Sequence, residues 1–578
     1  MKRKARNIFL LTNLAFLCSG CFSIYDIVKK NGGSSTLSSV YTATLYQYEA
    51  SGNDYVSKSM GEFPYATKDG IAYCSVENAL SLVSDHYSQK SSSDTSVSYS
   101  ISNASGSLSC TMTLDSEKET ITFDDYDVFM TIVTKVSVVG SVAEIAKTNA
   151  KAPYLTENGS SYQKAKETVF DLSAYQMTID IKNGDFYLPV SVVNHVFVEP
   201  LGISIVFNGT AFYLASSDAL KRANTTKTLS SYGEEYYGGR YYQRGRSSTY
   251  SNANYNDLCF LVDSFYGFSS QFKGLDSYLG NVAQLVQSYL QSNSESLYDR
   301  GIDYLLNDEM GDGHTGSYGF TSTFGDGTYT VSSASYSSRM VALSSAAKTL
   351  AAERKGHLGS NPSPLRYSGD TAILSFDEFV STYHDYTRTD IAADVSNDTF
   401  ALFYEAFKNI DAKGSIKNVI IDLSLNGGGA VAGLIGALGF LTNDVHVKIY
   451  DPLTESKNDL CYNVDTNLDG VVNSSDVKNY NFYVLVSNYS FSCANLFASI
   501  CQEYNLAKII GMTSGGGACI VRASTTADGL PFQMSGPAQL CRTKTDGSWE
   551  NIDSGVTPDI TLNVTDFYDD AALAAAIA

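Results

Sequence analysis

The second half of this 578-residue chain reads as an α/β fold with a largely parallel sheet. Two observations predict it. Short apolar strands run into small-residue turns and then helices in "NVIIDLSLNGGGAVAGLIGALGFL" (Asn418–Leu441) and again in "FYVLVSNYSFSCANLFASICQEY" (Phe482–Tyr504). Strands that alternate with helices in this way build a sheet whose faces are covered by the crossover helices. "AKIIGMTSGGGACIV" (Ala507–Val521) then gives strand, glycine turn, strand, and "VTPDITLNV" (Val556–Val564) closes the pattern. A hydrophobic content of 43% supplies the core, and 578 residues suffice for several domains.

The elements before this core differ in kind. "MKRKARNIFLLTNLAFLCSGCF" opens with Lys2, Arg3, Lys4 and Arg6, then a short apolar run Ile8–Leu17, then small residues ahead of Cys21. It resembles a bacterial lipoprotein signal, residues 1–21, with Cys21 as the lipidated first residue of the mature chain; an uncleaved anchor is the alternative. Cys18 stands where an aliphatic residue is usual. Residues 22–40, with "GGSSTLSS", read as a tether. Residues 41–218 read as a small α+β region in which "FPYATKDGIAYCSVENALSLV" (Phe63–Val83) and "TIDIKNGDFYLPVSVVNHVF" (Thr178–Phe197) repeat one strand–turn–helix idea. Asn208-Gly209 is the turn of a hairpin in "ISIVFNGTAFYL". This region is similar to the strand-and-helix repeats of copper-amine-oxidase N-terminal-like domains, without copper ligands. Residues 219–254, rich in Ser, Tyr, Gly and Arg, read as a linker.

A net charge of −21 excludes nucleic acid as a partner, since phosphate binding needs a basic face. Of ten cysteines, Cys18 and Cys21 belong to the leader. The spacing of the other eight matches no zinc motif, and they read either as disulfides of an exported protein or as small buried thiols.

Three turns carry groups with chemical potential. In "SFSCAN" (Ser490–Asn495), Ser492 leaves a buried strand where the next helix presents its first N–H groups. There it is either a helix cap or a nucleophile whose developing charge the helix N-terminus favours. Among six histidines, His314 in "GDGHTG" follows an apolar helix stripe (Tyr298, Ile302, Leu305, Leu306) at a glycine-flanked turn that presents the ring. "LNGGG" (Leu425–Gly429) lets backbone amides approach a ligand, or is simply a tight strand-to-helix turn.

Together, "DGHTG", "IIDLSLNGGG", "SFSCAN", "IIGMTSGGG" and "DSGVTPDI" occur in the order seen in the C-terminal-processing (tail-specific) serine peptidases and the related tricorn core. The resemblance spans roughly Asp257–Leu562. It implies a crotonase/ClpP-like peptidase core over residues 255–578. The nucleophile falls on Ser492, not Ser490, and the oxyanion donors on the amides of Gly428 (with Gly429 its neighbour) and Cys493. The branch with a catalytic lysine places it in a turn that here reads "TSGGG" (Thr513–Gly517), and Lys508 does not fit. The tricorn-like branch implies His314 as base and an acid shortly before "GVTPD", Asp553 rather than Glu550. No PDZ-like insert is evident between His314 and Asp370. The implied activity is that of a serine endopeptidase working through an acyl-enzyme on peptide or protein substrates, without a catalytic metal, on an exported protein held to the membrane by lipid. A non-catalytic surface binding protein on a degenerate peptidase scaffold is the other reading.

Within this core, "DTNLDGVVNSSD" (Asp465–Asp476) resembles a dockerin or EF-hand calcium loop. Asp465, Asn467, Asp469, the Val471 carbonyl, Asn473 and Asp476 occupy positions 1, 3, 5, 7, 9 and 12, and Gly470 position 6. A structural Ca²⁺ is expected there. The loop is single and lies between two core strands, which argues against cohesin binding.

Overall fold

The structure, a computed structural model, describes residues 36–578 apart from 52–53, 90–96, 105–106, 115–116, 125–127, 134–151, 164–165, 167, 218, 222–234, 237, 326–327, 332–335 and 383. The signal segment, Cys21 and most of the tether lie outside the described residues.

The α/β core is a six-stranded sheet in the order Leu365–Ser368, Thr371–Ser375, Asn418–Asp422, Asn481–Val486, Lys508–Gly511, Ile560–Thr561. Its first pair is an antiparallel hairpin and its other pairings are parallel. Side chains alternate between the two faces, as a strand period of two requires. Val419, Ile421, Val484, Val486 and Ile509 join one core cluster, which includes apolar residues of the helices Thr399–Lys413, Val431–Leu438 and Cys493–Glu503. Ile420, Tyr483, Leu485 and Ile510 face the other way, onto Leu350, Phe567, Tyr568 and Leu573. Burial on both faces explains why these strands read as unbroken apolar runs.

A second sheet packs beside it, running Gly316–Ser317, Pro531–Thr543, Val445–Asp451, Ser456–Val464, Leu155–Glu157, with Cys519–Thr525, Trp549–Asn551 and Ser161–Gln163 attached. The strands Leu155–Glu157 and Ser161–Gln163 both pair with Ser456–Val464. Sequence reading assigns 155–163 to the N-terminal region, whereas the structure gives it to the C-terminal sheet, where it covers a strand edge that would otherwise be open.

The N-terminal region holds a seven-stranded sheet in which the two similar segments meet. The strands Ile71–Ser75 and Asp185–Pro189 pair antiparallel, and each leads into a helix. Five strands between Val97 and Asp171 form a separate sheet.

The expected linker needs correction in its described part. Ser248–Phe265 is a helix capped by the Ser247 side chain. Tyr236 is buried, and Arg246 is held by Glu295 and Asp528 while lying 3.9 Å over the Tyr298 ring. The polar composition suggested solvent exposure, but here the charges are paired and the tyrosines packed. Among the described residues no helix is long and apolar enough to cross a membrane.

One buried charge cluster joins the two halves. His195 is fully buried, with Nδ1 3.0 Å from Glu199 and Nε2 3.0 Å from Asp257 on the helix Ser248–Phe265. Arg522 reaches Glu199 and the His195 carbonyl from the C-terminal sheet. Burial alone would lower the His195 pKa, but the two carboxylates outweigh it and raise it to about 9. A raised pKa means the folded state holds a proton that the unfolded chain releases near 6.5. This contribution is complete below about pH 6.5 and disappears as pH rises through about 9. Thermal midpoints should therefore fall across that window, and the slope should flatten in His195→Gln; an unchanged slope in the variant would place the effect elsewhere.

Candidate active site

Three turns leave the parallel sheet at one edge, because the strand ends are in register: Asp422 pairs with Leu485, and Val486 with Gly511. Hydrogen bonds stitch these turns together. Ser490 Oγ donates to the Leu423 carbonyl and accepts the Ser487 amide, and Ser487 Oγ donates to the Ser424 carbonyl. The Phe491 amide donates to Asn426 O at 3.2 Å, and the Ser492 amide to Gly516 O at 2.8 Å. The two serines thus have different roles. Ser490 is fully buried and its hydroxyl is used up in the turn. Ser492 is half-buried, sits at the N-cap position of the helix Cys493–Glu503, and makes no capping bond.

Ser492 adopts φ 54°, ψ −120°. A residue with a Cβ is strained there, by about 1–3 kcal/mol. In this conformation the hydroxyl makes no bond to the helix amides it would otherwise cap. Among the described residues the Cys493 amide, at the first position of the helix, donates to no acceptor.

The glycine turn approaches from the other side. A Cβ on Gly428 would lie 2.7 Å from Ser492 Cβ and 3.2 Å from the Cys493 amide, and one on Gly429 would lie 2.1 Å from the Phe379 carbonyl. Both have positive φ, 116° and 128°. Only glycine fits at these two positions. The amides divide in a way the motif does not reveal. Gly428 N–H donates to Asn426 Oδ1 at 2.9 Å, closing an Asx turn. Among the described residues no acceptor takes the Gly429 N–H, while its carbonyl receives the Cys493 thiol at 3.0 Å. Gly428 therefore shapes the turn beside Ser492, and the open amides are those of Gly429 and Cys493.

His314 arrives from a different part of the chain. Asp312 accepts the amides of His314 and Thr315 and the Thr315 hydroxyl, which fixes the turn. The imidazole packs 4.7 Å from the ring of Phe491, the residue before Ser492. It is 7% exposed, and both ring nitrogens are buried without a hydrogen bond. Burial pushes its pKa below the usual value, Asp312 and Asp553 oppose that, and Arg339 adds to it. The ring is therefore neutral at neutral pH, the form a general base needs.

Asp553 lies close enough to influence His314 electrostatically, but its hydrogen bonds go elsewhere. Arg339 grips it with two bonds of 2.8 and 2.9 Å, and the Gly517 amide donates to it at 3.1 Å. Although burial favours its neutral form, Arg339 and the amides hold its pKa below the ordinary carboxylate value. Arg339 stands in the first turn of the helix Ser338–Leu358, which occupies the stretch between His314 and Asp370. From the same helix Leu343 faces Gly313 and Gly515.

The structure thus brings Gly428 against Ser492 and Cys493 and packs His314 on Phe491, the residue before Ser492, with Asp553 near enough to act on the imidazole through its charge. It makes no Ser492–His314 and no His314–Asp553 hydrogen bond. Sequence reasoning missed Gly429 as the open donor, although the Asn-Gly pair signals the Asx turn. It also missed Phe491, and it missed Arg339, for which no local signal exists.

Residues 373–562 match the model of Peptidase family S41. The matched stretch contains Gly428, Ser492 and Asp553 but begins after His314. No curated protein matches the chain. Among solved structures, a putative peptidase from Parabacteroides merdae is similar at 17% identity and a TM-score of 0.37, over 56% of this chain and 94% of that one. A lipoprotein from Streptococcus agalactiae is similar at 14% identity and a TM-score of 0.33, over 55% and 93%. The photosystem II D1 C-terminal processing protease aligns at 17% identity and a TM-score of 0.27 over 36% of this chain, which spans 50% of that protein.

If Arg339 competes with His314 for Asp553, Arg339→Ala should raise the His314 pKa twice over, by removing a nearby cation and by freeing a carboxylate. The midpoint of the His314 ring titration, followed by NMR, should then move to higher pH. A midpoint that stays in place would show that neither Arg339 nor Asp553 acts on the imidazole.

Proposed function

We propose that this chain is an exported, lipid-anchored serine endopeptidase. The observation that carries the reading is the strained, uncapped Ser492 facing the open amides of Gly429 and Cys493, beside a buried, unpaired imidazole. In the proposed reaction Ser492 Oγ attacks a peptide carbonyl carbon while His314 takes its proton. The tetrahedral oxyanion rests on the two amides. As the C–N bond breaks, His314 returns the proton to the leaving amine, and water then hydrolyses the ester by the same route. Asp553 orients the imidazole once released from Arg339. Incubating the protein with an unfolded polypeptide such as casein tests this reading. New termini should appear with the wild type and not with Ser492→Ala, and cleavage that persists in the variant would remove the mechanism.

A second reading has one observation in its favour. His314 has no partner and Asp553 is bound to Arg339, so the groups as placed form no relay. A folded protein that cleaves nothing but retains peptide affinity would be a binding scaffold.

The basic and apolar leader supports export and lipid attachment at Cys21, which radiolabelled palmitate incorporation lost in Cys21→Ala would test. For Asp465–Asp476 we propose a structural Ca²⁺ clip. Asp465 accepts the amides of Asp469 and Gly470, and Gly470 has φ 83°, both in keeping with the loop's tight turn. Against this, Arg388 already bonds Asn467 and lies 3.9 Å from Asp469. Asp465, Asn467, Asp469, Asn473, Asp476 and the Val471 carbonyl would hold the ion, which would cross-link the loop ends. Calcium at a hundred times its Kd should add about 2.7 kcal/mol of stability, read as a raised Tm, and Asp465→Ala should abolish the rise. An equal rise in the variant would place the ion elsewhere.

A further inference from the structure

Away from the peptidase turns, the ribbon formed by Val445–Asp451 and Ser456–Val464 carries a second cluster. The register pairs His446 with Cys461 and Lys448 with Asp459. Residues two apart on a strand share a face, so Asp444, His446, Asp459 and Cys461 all project from one side of the ribbon. Cys461 Sγ lies 2.7 Å from Asp444 Oδ1 and 3.9 Å from His446 Nε2, and Nε2 lies 3.2 Å from Asp444 Oδ2. Asp459 holds the opposite nitrogen, Nδ1, at 2.9 Å, and the Tyr504 ring stacks on the imidazole at 5.1 Å and 11°. Among the described residues this is the one place where three His, Cys, Asp or Glu ligand atoms all come within 4.8 Å of one another.

We propose that Asp444, His446 and Cys461 form a zinc-binding site, with Asp459 as the residue that orients the histidine. Tetrahedral zinc with bonds of about 2.0–2.3 Å spaces its ligand atoms roughly 3.3–3.8 Å apart. The present separations bracket that range, and the shortest is a thiol hydrogen bond that the ion would replace. Binding releases the thiol proton, giving thiolate, neutral imidazole and carboxylate, a donor set that suits zinc rather than calcium or magnesium. The carboxylate on Nδ1 fixes the tautomer and leaves Nε2 free for metal. Cys461 is buried, whereas the Asp444 side chain is 67% exposed, so an ion can enter and a fourth position stays open to water or a further ligand. A nucleophilic-thiol reading fits less well, because the Asp444 carboxylate against the sulfur opposes thiolate formation. No sequence motif announces the cluster, because its residues sit on two strands and converge only through the register.

Cobalt(II) titrated into the chelator-stripped full chain tests the proposal. One equivalent should produce a thiolate-to-cobalt charge-transfer band, and zinc should displace it. Cys461→Ser should lose the band, whereas Asp465→Asn in the calcium loop should keep it. Asp459→Asn retains all three ligands and should weaken binding about 10- to 100-fold. No band in the folded wild type, or a band that survives Cys461→Ser, would overturn the site. So would alkylation of Cys461 that zinc leaves unslowed.

Discussion

Replacing Ser492 with alanine should lower peptide hydrolysis by roughly a millionfold, the cost of deleting a serine nucleophile whose partners cannot substitute for it. The fold should be indifferent. Ser492 Oγ makes no hydrogen bond among the described residues, and alanine inherits the same φ of 54°. Ser492→Gly separates function from stability more sharply. Glycine meets that conformation without strain, so the variant should be inactive yet about as stable as the wild type or up to ~1–3 kcal/mol more so. Denaturant unfolding of the three proteins, alongside activity, checks this. A large destabilisation in Ser492→Ala would mean that the hydroxyl caps or braces the helix after all.

His314→Leu should likewise abolish turnover, again by several orders of magnitude. Its effect on stability should be neutral or favourable. Two buried ring nitrogens without partners are an unreturned desolvation cost of about 1–3 kcal/mol each, whereas leucine keeps the packing against Phe491 and removes the polar atoms. A buried, unsatisfied group is retained only where something else requires it. His314→Leu that is inactive and at least as stable fits a base held ready for substrate. A variant that keeps near-wild-type turnover would remove His314 from the mechanism, and one that unfolds would make it a packing residue.

Much of the core was legible because it follows from local rules. The apolar runs at Asn418–Asp422 and Asn481–Val486 are buried on both faces, so they read as parallel strands. The glycines at 428 and 429 announced a turn that no other residue tolerates. Its place at a strand-to-helix turn singled out Ser492 as cap or nucleophile, and the family resemblance chose it over Ser490, whose hydroxyl is spent on Leu423. What escaped were facts of long-range placement. Arg339 and Asp553 stand 214 residues apart, so no spacing rule joins them. Residues 155–163 looked like part of the region that surrounds them in sequence, but edge pairing places them on another sheet. The composition of 235–254 suggested a solvated linker, yet Arg246 and Tyr236 are buried because partners hundreds of residues away satisfy them. The exchange of roles between Gly428 and Gly429 turned on a single Asn426 side-chain bond.

Mass spectrometric mapping of a fluorophosphonate adduct on the intact, folded protein tests the central claim most directly. The account predicts one modified serine, Ser492, formed faster as pH rises through the depressed pKa of His314 and absent in Ser492→Ala. A folded protein that forms no adduct, or carries it on another serine, would contradict it.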